Sequence, residues 1–229
     1  MRISEIFHSI QGEGKLTGVP SVFVRTTGCN LRCTWCDTPY TSWEPQGESL
    51  SIDEIVQQVR AFHCRHVVIT GGEPMIMPEI AELCGQLKSH KHHLTIETAA
   101  TVFEPLPIDL ASLSPKLSNS TPVLRENGRY AAIHEAKRLN IPVIQNFIDT
   151  SDDFQLKFVV ASEKDVAEID AILLQLKDFE PDDVQLMPEG IDAPILASRA
   201  PWITELCKKR GFRFCQRLHV LLYGNKRGT

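Results

Sequence analysis

Short apolar runs alternate along the chain with longer segments in which apolar residues recur every three to four positions. The short runs predict six or seven β-strands, because an apolar stretch of this length bounded by turn residues is typical of a strand in a buried parallel sheet. The candidate strands cover residues 20–26, 66–70, 93–98, 142–147, 154–160, 183–187 and 213–222.

The longer segments predict about five helices between the strands. Ser51 opens one of them, because Glu54 three positions later completes a capping box. Apolar residues follow it at helical spacing, at Ile55, Val59 and Phe62. Further helices are predicted over residues 78–89, over residues 128–140, and from a cap at Ser162 through Val166, Ile169, Leu173 and Leu176.

This order of elements predicts an α/β fold with a parallel sheet and right-handed crossovers. The elements are too few for the eight βα units of a closed barrel, so a partial barrel or an open sheet remains. No repeat, low-complexity tract or Gly/Ser linker divides the chain, and we predict one domain over residues 1–229. The least regular segment, residues 101–122, contains four prolines and is predicted to be a long functional loop.

Composition narrows the class of protein. The 229 residues are 42 % hydrophobic, which suffices for a sizeable core. The chain has 24 Lys and Arg against 29 Asp and Glu, a formal net charge of −5, and therefore no overall basic field for nucleic acid or anionic lipid. We find no leader pattern and no run of about 18 apolar residues, so we expect a cytoplasmic protein that binds neither nucleic acid nor membrane.

Three of the seven cysteines crowd together with the spacing C-x3-C-x2-C at Cys29, Cys33 and Cys36. An odd number of unevenly spaced cysteines is unlike a disulfide framework and indicates metal or redox chemistry in a reducing compartment. A closed structural zinc site has four protein ligands, whereas an iron–sulfur cubane held by three thiolates keeps one iron open for another ligand. A zinc site completed by His or water, and a redox dithiol, stay open as alternatives.

The cysteine spacing resembles the motif of the radical S-adenosylmethionine superfamily. The resemblance implies a 4Fe-4S cluster on the three thiols, whose open iron binds S-adenosylmethionine and splits it into methionine and a 5′-deoxyadenosyl radical. It also implies that the strand end at Gly72 and Glu73, in the sequence TGGEP, contacts this cofactor. A tight turn without a ligand is the plainer interpretation of these glycines.

Four further segments resemble the 7-carboxy-7-deazaguanine synthase family: FHSIQGEG at 7–14, FVR at 23–25, CDT at 36–38 and RLHVLLYGN at 217–225. The resemblance spans nearly the whole chain and implies a homodimeric radical enzyme with a trimmed (βα)6-type barrel. It implies that 6-carboxy-5,6,7,8-tetrahydropterin is converted by ring contraction and loss of ammonia to 7-carboxy-7-deazaguanine, in queuosine biosynthesis. It also implies an external one-electron reductant such as flavodoxin.

The resemblance implies roles for individual residues, and their chemistry agrees. The planar guanidinium of Arg25 suits a substrate carboxylate, and the hydroxyl of Thr38 suits Mg2+, a hard cation that retains most of its water or substrate ligands. Contacts to S-adenosylmethionine are implied for Trp35, Gly72, Glu73, Glu97, Ser114, Pro115, Lys116 and Gln185, and contacts to the pterin for Ile10, Gln11, Gly12, Glu13, Arg25, Thr70, His219 and Thr229.

Plainer interpretations of these residues stay open. Trp35 would then only shield the cluster, and Gln11 and Glu13 would be polar side chains on a hairpin. Arg25 would form a salt bridge, and the Thr38 hydroxyl would cap the backbone of the loop. His219 would be a core histidine, Gln185 a strand-end amide, and Glu97 and Lys116 solvated charges. The sequence also departs from the family at Ala99 and Ala100, where a polar residue and Gly are more common.

Two other functions are compatible with the thiol motif. An activating enzyme for a glycyl-radical protein would carry the same cysteine spacing and a glycine-rich strand end, but without the QGEG and CDT segments. A non-catalytic metal-binding module would account for the thiols and leave the polar residues at the strand ends without a role. Cofactor cleavage, and its dependence on a pterin or on a partner protein, distinguishes the three.

Overall fold

The computed structural model describes residues 1–229, and its strands form a single sheet. The strands are β1 (Arg2–Ile10), β2 (Pro20–Thr26), β3 (Glu48–Ser49), β4 (His66–Gly71), β5 (His93–Thr98), β6 (Leu110–Leu113), β7 (Phe154–Val160), β8 (Val184–Pro188) and β9 (Arg213–Phe214). They lie in the order β3-β1-β2-β4-β5-β6-β7-β8-β9. Only the pairs made by β1 are antiparallel.

The chain has eight α-helices, of which the last follows the final strand and the others lie between strands: α1 (Pro39–Ser42), α2 (Ile52–Ala61), α3 (Ile80–Ser89), α4 (Ala131–Lys137), α5 (Ile141–Thr150), α6 (Asp165–Leu173), α7 (Ala193–Arg210) and α8 (Leu218–Tyr223). Each new parallel strand is added at the same edge of the sheet, so right-handed crossovers place the connecting helices on one face. A sheet wound in one direction that stops short of eight units is a partial barrel, which confirms the predicted α/β fold. None of the helices combines the length and hydropathy that crossing a bilayer requires.

The strands present apolar side chains to the helices. Val24, Ile69 and Ile96 are register partners on the neighbouring strands β2, β4 and β5. They join a core of 33 buried residues that includes Leu83 of α3. Burial of side chains of this size contributes about 1.5–3 kcal/mol each. The core therefore holds the strand ends, and the side chains they carry, in fixed positions.

The opposite face of the same strands carries polar side chains. A parallel sheet that is covered on both faces is normally apolar throughout, and here the alternate positions are hydroxyl, amide or charged groups that are nevertheless buried or half-buried. These residues are Arg25, Thr70, Glu97, Ser112, Gln155, Lys157 and Gln185. The distribution indicates that this face is built to contact a polar ligand.

Several predicted elements occur where the sequence places them. Strands β2, β5 and β7 have the predicted bounds, and β4 and β8 differ from them by a residue at one or both ends. The capping box of α2 is formed, with Ser51 Oγ accepting from Glu54 N at 3.3 Å. The predicted helices over 78–89 and 128–140 correspond to α3 and to a shorter α4.

The strand predicted over residues 142–147 is wrong, because this segment belongs to α5. Asn140 accepts a hydrogen bond from Val143 N at 3.4 Å and Pro142 occupies the first turn, where a missing N–H costs nothing. Ile144 and Phe147 are buried at helical spacing. The β-branched residues suggested a strand, but the capping signal before them decides the structure.

The strand predicted over residues 213–222 is also wrong beyond its first two residues. After β9 the chain turns, and Leu218 N donates to Gly12 O at 2.9 Å at the start of α8. Arg217 is buried at this turn and donates to Gly190 O at 2.6 Å. A long strand would separate these tertiary contacts, so they override the strand-like composition.

Other differences concern elements that the pattern did not reveal. The predicted loop over residues 101–122 contains β6, a short strand of low β-propensity in the middle of the sheet. Helix α7 was not predicted, because Pro201 interrupts its interior and few of its residues are buried. Ser162 does not cap α6; instead the Asp165 carboxylate accepts the N–H groups of Ala161 and Ser162 at 2.7 and 2.9 Å.

Candidate active site

The polar face of the sheet lines a cavity of about 480 Å3 at the carboxyl ends of the parallel strands, where folds of this kind bind ligands. All the site residues predicted from the sequence line it except Glu73, Pro115 and Gln185. Those that do are Ile10, Gln11, Gly12, Glu13, Arg25, Cys29, Cys33, Trp35, Cys36, Thr38, Thr70, Gly72, Glu97, Ser114, Lys116, His219 and Thr229.

The three thiols enter the cavity on the loop after β2. This loop packs so closely on β4 that a Cβ on Gly72 would lie 2.1 Å from Gly28 O, which explains glycine at position 72. Leu31 N donates to Cys29 Sγ at 3.3 Å. Burial raises the pKa of Cys29 to about 11 and that of Cys33 to about 12, so ligation to a metal requires release of both protons.

The donor set fits a cluster held by three thiolates. His134 contacts the same loop but is not available as a fourth ligand, because both of its ring nitrogens are engaged. Nδ1 accepts from Arg32 N at 3.0 Å, which places the proton on Nε2, and Nε2 donates to Ser120 Oγ at 2.9 Å. No three His, Cys, Asp or Glu side chains surround one ion-sized point; a cubane does not require this, because each thiolate binds a different iron.

The same histidine predicts a pH dependence of stability. Burial lowers the pKa of His134 to about 4, against about 6.5 in an unfolded chain. Because the unfolded chain takes up the proton first, the free energy of unfolding should fall as pH decreases from about 6.5 towards 4. Urea unfolding at pH 7, 6 and 5 measures the slope. His134→Gln should make the free energy of unfolding less dependent on pH, whereas His90→Gln, at an exposed position, should leave its slope unchanged. Equal slopes in all three proteins would show that His134 does not cause the pH dependence.

A largely buried ion network forms part of the cavity floor. Lys157 Nζ contacts Glu13 Oε2, Arg217 Nε donates to Glu13 Oε1 at 3.0 Å, and Arg217 also pairs with Asp37. Burial alone would raise the pKa of Glu13, but the two cations lower it well below its usual value. Glu13 is therefore held ionised, as an acceptor facing the cavity.

Three residues of this network, Lys157, Arg217 and Asp37, are not among the site residues predicted from the sequence. A signal for Lys157 is present, because the run FQLKFVV places a charged residue in the middle of a strand. It lies on the cavity face of β7, opposite the buried Leu156 and Phe158. No local pattern predicts the pairing of Arg217 with Asp37, because the two residues lie 180 positions apart along the chain.

Residues 11–13 form a group of hydrogen-bonding side chains at one end of the cavity. Gln11 Nε2 donates to Glu97 Oε1 at 3.0 Å, and Lys157 lies 3.6 Å from Glu97 Oε2, so Glu97 is not a solvated surface charge. A Cβ on Gly12 would lie 2.0 Å from His219 Nδ1. Glycine at this position therefore lets the imidazole pack against the backbone between the two polar side chains.

Arg25 forms a salt bridge, the plainer of the two interpretations that the sequence left open, and it also lines the cavity. Its Nε donates to Glu5 Oε1 at 2.6 Å, and Tyr40 donates its hydroxyl to the same oxygen at 2.9 Å. The terminal nitrogens of Arg25 have no protein hydrogen bond, and they border the cavity beside Thr70, its partner in the register of β2 and β4. Glu5 thus fixes the guanidinium while its planar edge remains free for an anion.

The other side of the cavity is formed around the thiol loop. Trp35 Nε1 donates to Asn119 O at 3.1 Å, and Lys116 Nζ lies 5.9 Å above the Trp35 ring. Lys116 also donates to Ser114 Oγ at 2.8 Å. Thr38 lines the cavity and precedes α1 without capping it, and its hydroxyl accepts from Thr41 Oγ1 at 3.3 Å.

The three predicted residues outside the lining support it from behind. The buried Glu73 carboxylate accepts from Thr98 Oγ1 at 2.7 Å and from Ala99 N at 2.8 Å, so it ties the end of β4 to the end of β5. Gln185 donates to Gln155 Oε1 at 3.0 Å within the sheet. Pro115 is buried between Ser114 and Lys116.

Comparisons with known proteins agree with this geometry. Residues 23–150 match the model of the Radical SAM superfamily. The chain is 46 % identical to 7-carboxy-7-deazaguanine synthase of Rhodopirellula baltica over 99 % of its own length and 88 % of that protein. It is 42 % identical to the enzyme of that name from Halobacterium salinarum, over 97 % of the chain and 90 % of that protein. The crystal structure of QueE from Escherichia coli superposes with a TM-score of 0.73 at 26 % identity and covers 95 % of this chain and 94 % of that one.

Proposed function

Because this chain belongs to the 7-carboxy-7-deazaguanine synthase family of the radical S-adenosylmethionine superfamily, we propose that it converts 6-carboxy-5,6,7,8-tetrahydropterin to 7-carboxy-7-deazaguanine. As a member of that family it is an enzyme that uses a 4Fe-4S cluster and S-adenosylmethionine. The observation that carries the substrate proposal is one cavity in which three thiols face both a free arginine edge and a group of paired amide and carboxylate side chains.

The cluster and S-adenosylmethionine, when bound, supply a carbon-centred radical that abstracts a hydrogen atom from substrate. Cys29, Cys33 and Cys36 would hold three of the four irons. Trp35 and Lys116 would border the nucleoside, because they lie on the same side of the cavity as the thiol loop and present an aromatic face and a cation. Glu73, Pro115 and Gln185 would act on the cofactor through the backbone they position.

At the other end, the chain's residues would hold the pterin by its polar edges. Arg25 and Thr70 would bind the carboxylate, since the terminal guanidinium nitrogens have no protein partner. Gln11 and Glu13 offer an amide and an ionised carboxylate to the edge of the ring that carries N–H donors and a carbonyl. With ligands bound, the buried floor would exclude water from the reacting atoms.

Thr38 is proposed as the protein ligand of Mg2+, with substrate oxygens and water completing the shell. We expect Thr38→Ala to raise the Mg2+ concentration needed for half-maximal turnover by on the order of tenfold or more. Thr34→Ala, on the same loop with an exposed side chain, serves as the control. Titration of Mg2+ in the turnover assay measures the effect, and an unchanged Mg2+ response in Thr38→Ala would remove this residue from the site.

The whole reaction is tested with anaerobically purified, reconstituted protein. Iron and sulfide are assayed, and reduced protein is mixed with S-adenosylmethionine and the carboxytetrahydropterin, with and without Mg2+. Formation of a product with the ultraviolet spectrum of a deazaguanine supports the proposal. Cofactor cleavage only after addition of a glycyl-radical protein, or stoichiometric zinc without sulfide, would overturn it. A homodimer, a flavodoxin-like reductant and a cytoplasmic location stay predictions.

A further inference from the structure

The segment that carries Gln11 and Glu13 is held from beneath by a buried amide to which the proposed function gives no role. Gln155 is 2 % exposed and lies on β7, two positions before Lys157, but it is not among the residues that line the cavity. Its Oε1 accepts a hydrogen bond from Lys15 N at 2.7 Å, two residues after Glu13. Because Gln155 does not reach the cavity, it acts on a bound ligand only through the residues that it holds.

The Gln155 amide is fixed in one orientation by partners on three sides. Lys15 N can only donate, so the oxygen of the amide must face the segment. Gln155 Nε2 donates to Ser112 Oγ on β6 at 2.7 Å, and Gln185 Nε2 on β8 donates to Gln155 Oε1 at 3.0 Å. Both partners are buried. The neighbouring strands thus hold the amide in place, with its oxygen turned towards one backbone N–H of the segment.

The backbone of the segment lies directly against this amide at Gly14. A Cβ on Gly14 would lie 2.2 Å from Gln155 Nε2, and Gly14 has a φ of +78°. The close contact and the left-handed backbone conformation both favour glycine here. Gly14 N also donates to Cys215 Sγ at 3.2 Å. A change in the Gln155 side chain therefore displaces the backbone next to Glu13.

The same backbone orients the Gln11 amide. Glu13 N donates to Gln11 Oε1 at 3.3 Å, and Gln11 Nε2 donates to Glu97 Oε1 at 3.0 Å. The position of the Glu13 N–H thus determines where the oxygen end of the Gln11 amide lies. A displacement of residues 13–15 consequently moves the Gln11 amide and the Glu13 carboxylate together.

We propose that Gln155 is a positioning residue for recognition of the pterin edge: through the backbone of residues 13–15, it sets where the Gln11 amide and the Glu13 carboxylate meet the substrate. This inference rests on the proposed function. Donors and acceptors recognise a ligand edge only when they are held to within about 0.5 Å. Since the thiol loop lies on the other side of the cavity, loss of Gln155 should weaken substrate binding and leave S-adenosylmethionine binding intact.

Three variants separate this role from a general effect on the fold. Gln155→Leu removes the acceptor for Lys15 N. Gln155→Glu is the conservative variant, because it keeps an oxygen for Lys15 N and the Ser112 hydroxyl can turn to donate to the other oxygen. Leu156→Val is the matched control, because it alters the next residue of β7 in the core, on the opposite face of the strand. Anaerobic calorimetry measures binding of the carboxytetrahydropterin to reconstituted protein with S-adenosylmethionine and without reductant.

We expect Gln155→Leu to raise the Kd and the KM for the pterin by about tenfold or more. Gln155→Glu should stay within about threefold of the unmodified protein, and Leu156→Val within about twofold. In all three variants the KM for S-adenosylmethionine, and its cleavage without pterin, should change by less than about twofold. An unchanged Kd for the pterin in Gln155→Leu would overturn the proposal. An equal loss of cofactor cleavage would also overturn it, because the defect would then be general.

A double-mutant cycle tests whether the effect passes through the segment. In a Glu13→Gln background, Gln155→Leu should weaken pterin binding by less than about threefold, because the carboxylate that it positions is already replaced. In an Arg25→Lys background it should keep its effect of about tenfold, because Glu5 fixes the side chain at that position independently. Equal effects in both backgrounds would overturn the proposal. If the unmodified protein itself neither binds the pterin nor forms a deazaguanine, the proposed function is wrong.

Discussion

Replacement of Cys33 by Ala is expected to abolish reductive cleavage of S-adenosylmethionine. Three thiols supply all the protein ligands that the loop offers, and Cys33 is the most enclosed of them, so no neighbouring side chain replaces it. The variant should retain less iron and sulfide after anaerobic reconstitution. Its 5′-deoxyadenosine production should fall below detection, with and without substrate.

The control for this loss is a cysteine elsewhere in the protein. Cys64 is partly exposed and donates its thiol to Pro20 O at 3.2 Å on the far end of the sheet. Cys64→Ser should therefore keep the iron content and turnover of the unmodified protein. Full cofactor cleavage by Cys33→Ala would show that the thiol loop does not hold the cluster.

Replacement of Lys157 by Met is expected to cause the second large effect. Lys157 is nearly inaccessible to solvent and contacts both Glu13 and Glu97, so its removal leaves the half-buried Glu97 without a cation and leaves Glu13 with Arg217 alone. Breaking a buried pair from one side costs about 3–5 kcal/mol, more than the pair itself stabilises. The free energy of unfolding should fall by about this amount, and turnover should fall because Glu13 and Glu97 lose the cation that holds them in place at the cavity.

An exposed ion pair supplies the matched comparison. Lys208 is 66 % exposed and pairs with Glu205 at 2.8 Å, and Lys208→Met should cost no more than about 1 kcal/mol. The double variant Lys157→Met/Glu97→Gln should recover part of the stability, because it removes one unpaired charge, while turnover stays low. Equal stability of Lys157→Met and Lys208→Met in chemical unfolding would show that Lys157 does not stabilise the carboxylates of Glu13 and Glu97.

The sequence predicted the chemistry of the cavity better than its electrostatics. The thiol loop, Arg25 and the QGEG segment form compact local motifs, and the structure brings them together. Lys157 and Arg217 were missed because their meaning depends on Glu13, which lies 144 and 204 residues away, respectively, along the chain. A charge inside a strand becomes informative only when the opposing side chain is known.

The difference between local patterns and distant contacts also explains which secondary-structure predictions were wrong. Strands β2, β5 and β7 lie in the sheet interior, where the helix-facing positions are apolar because they are buried in the core. Helices α5 and α8 contain similar runs, but α5 is decided by the Asn140 cap and α8 by contacts with Gly12, and neither effect is visible in hydrophobicity. Helix α7 was not predicted because few of its residues are buried, and it therefore lacks a strong apolar face.

The pairing of Glu13 with Arg217 joins a residue near the start of the chain to one near its other end. During synthesis the thiol loop leaves the ribosome long before Arg217 does, so the ion pair between Glu13 and Arg217 forms only after translation has passed that arginine. The part of the cavity wall that this pair holds is therefore among the last to be completed.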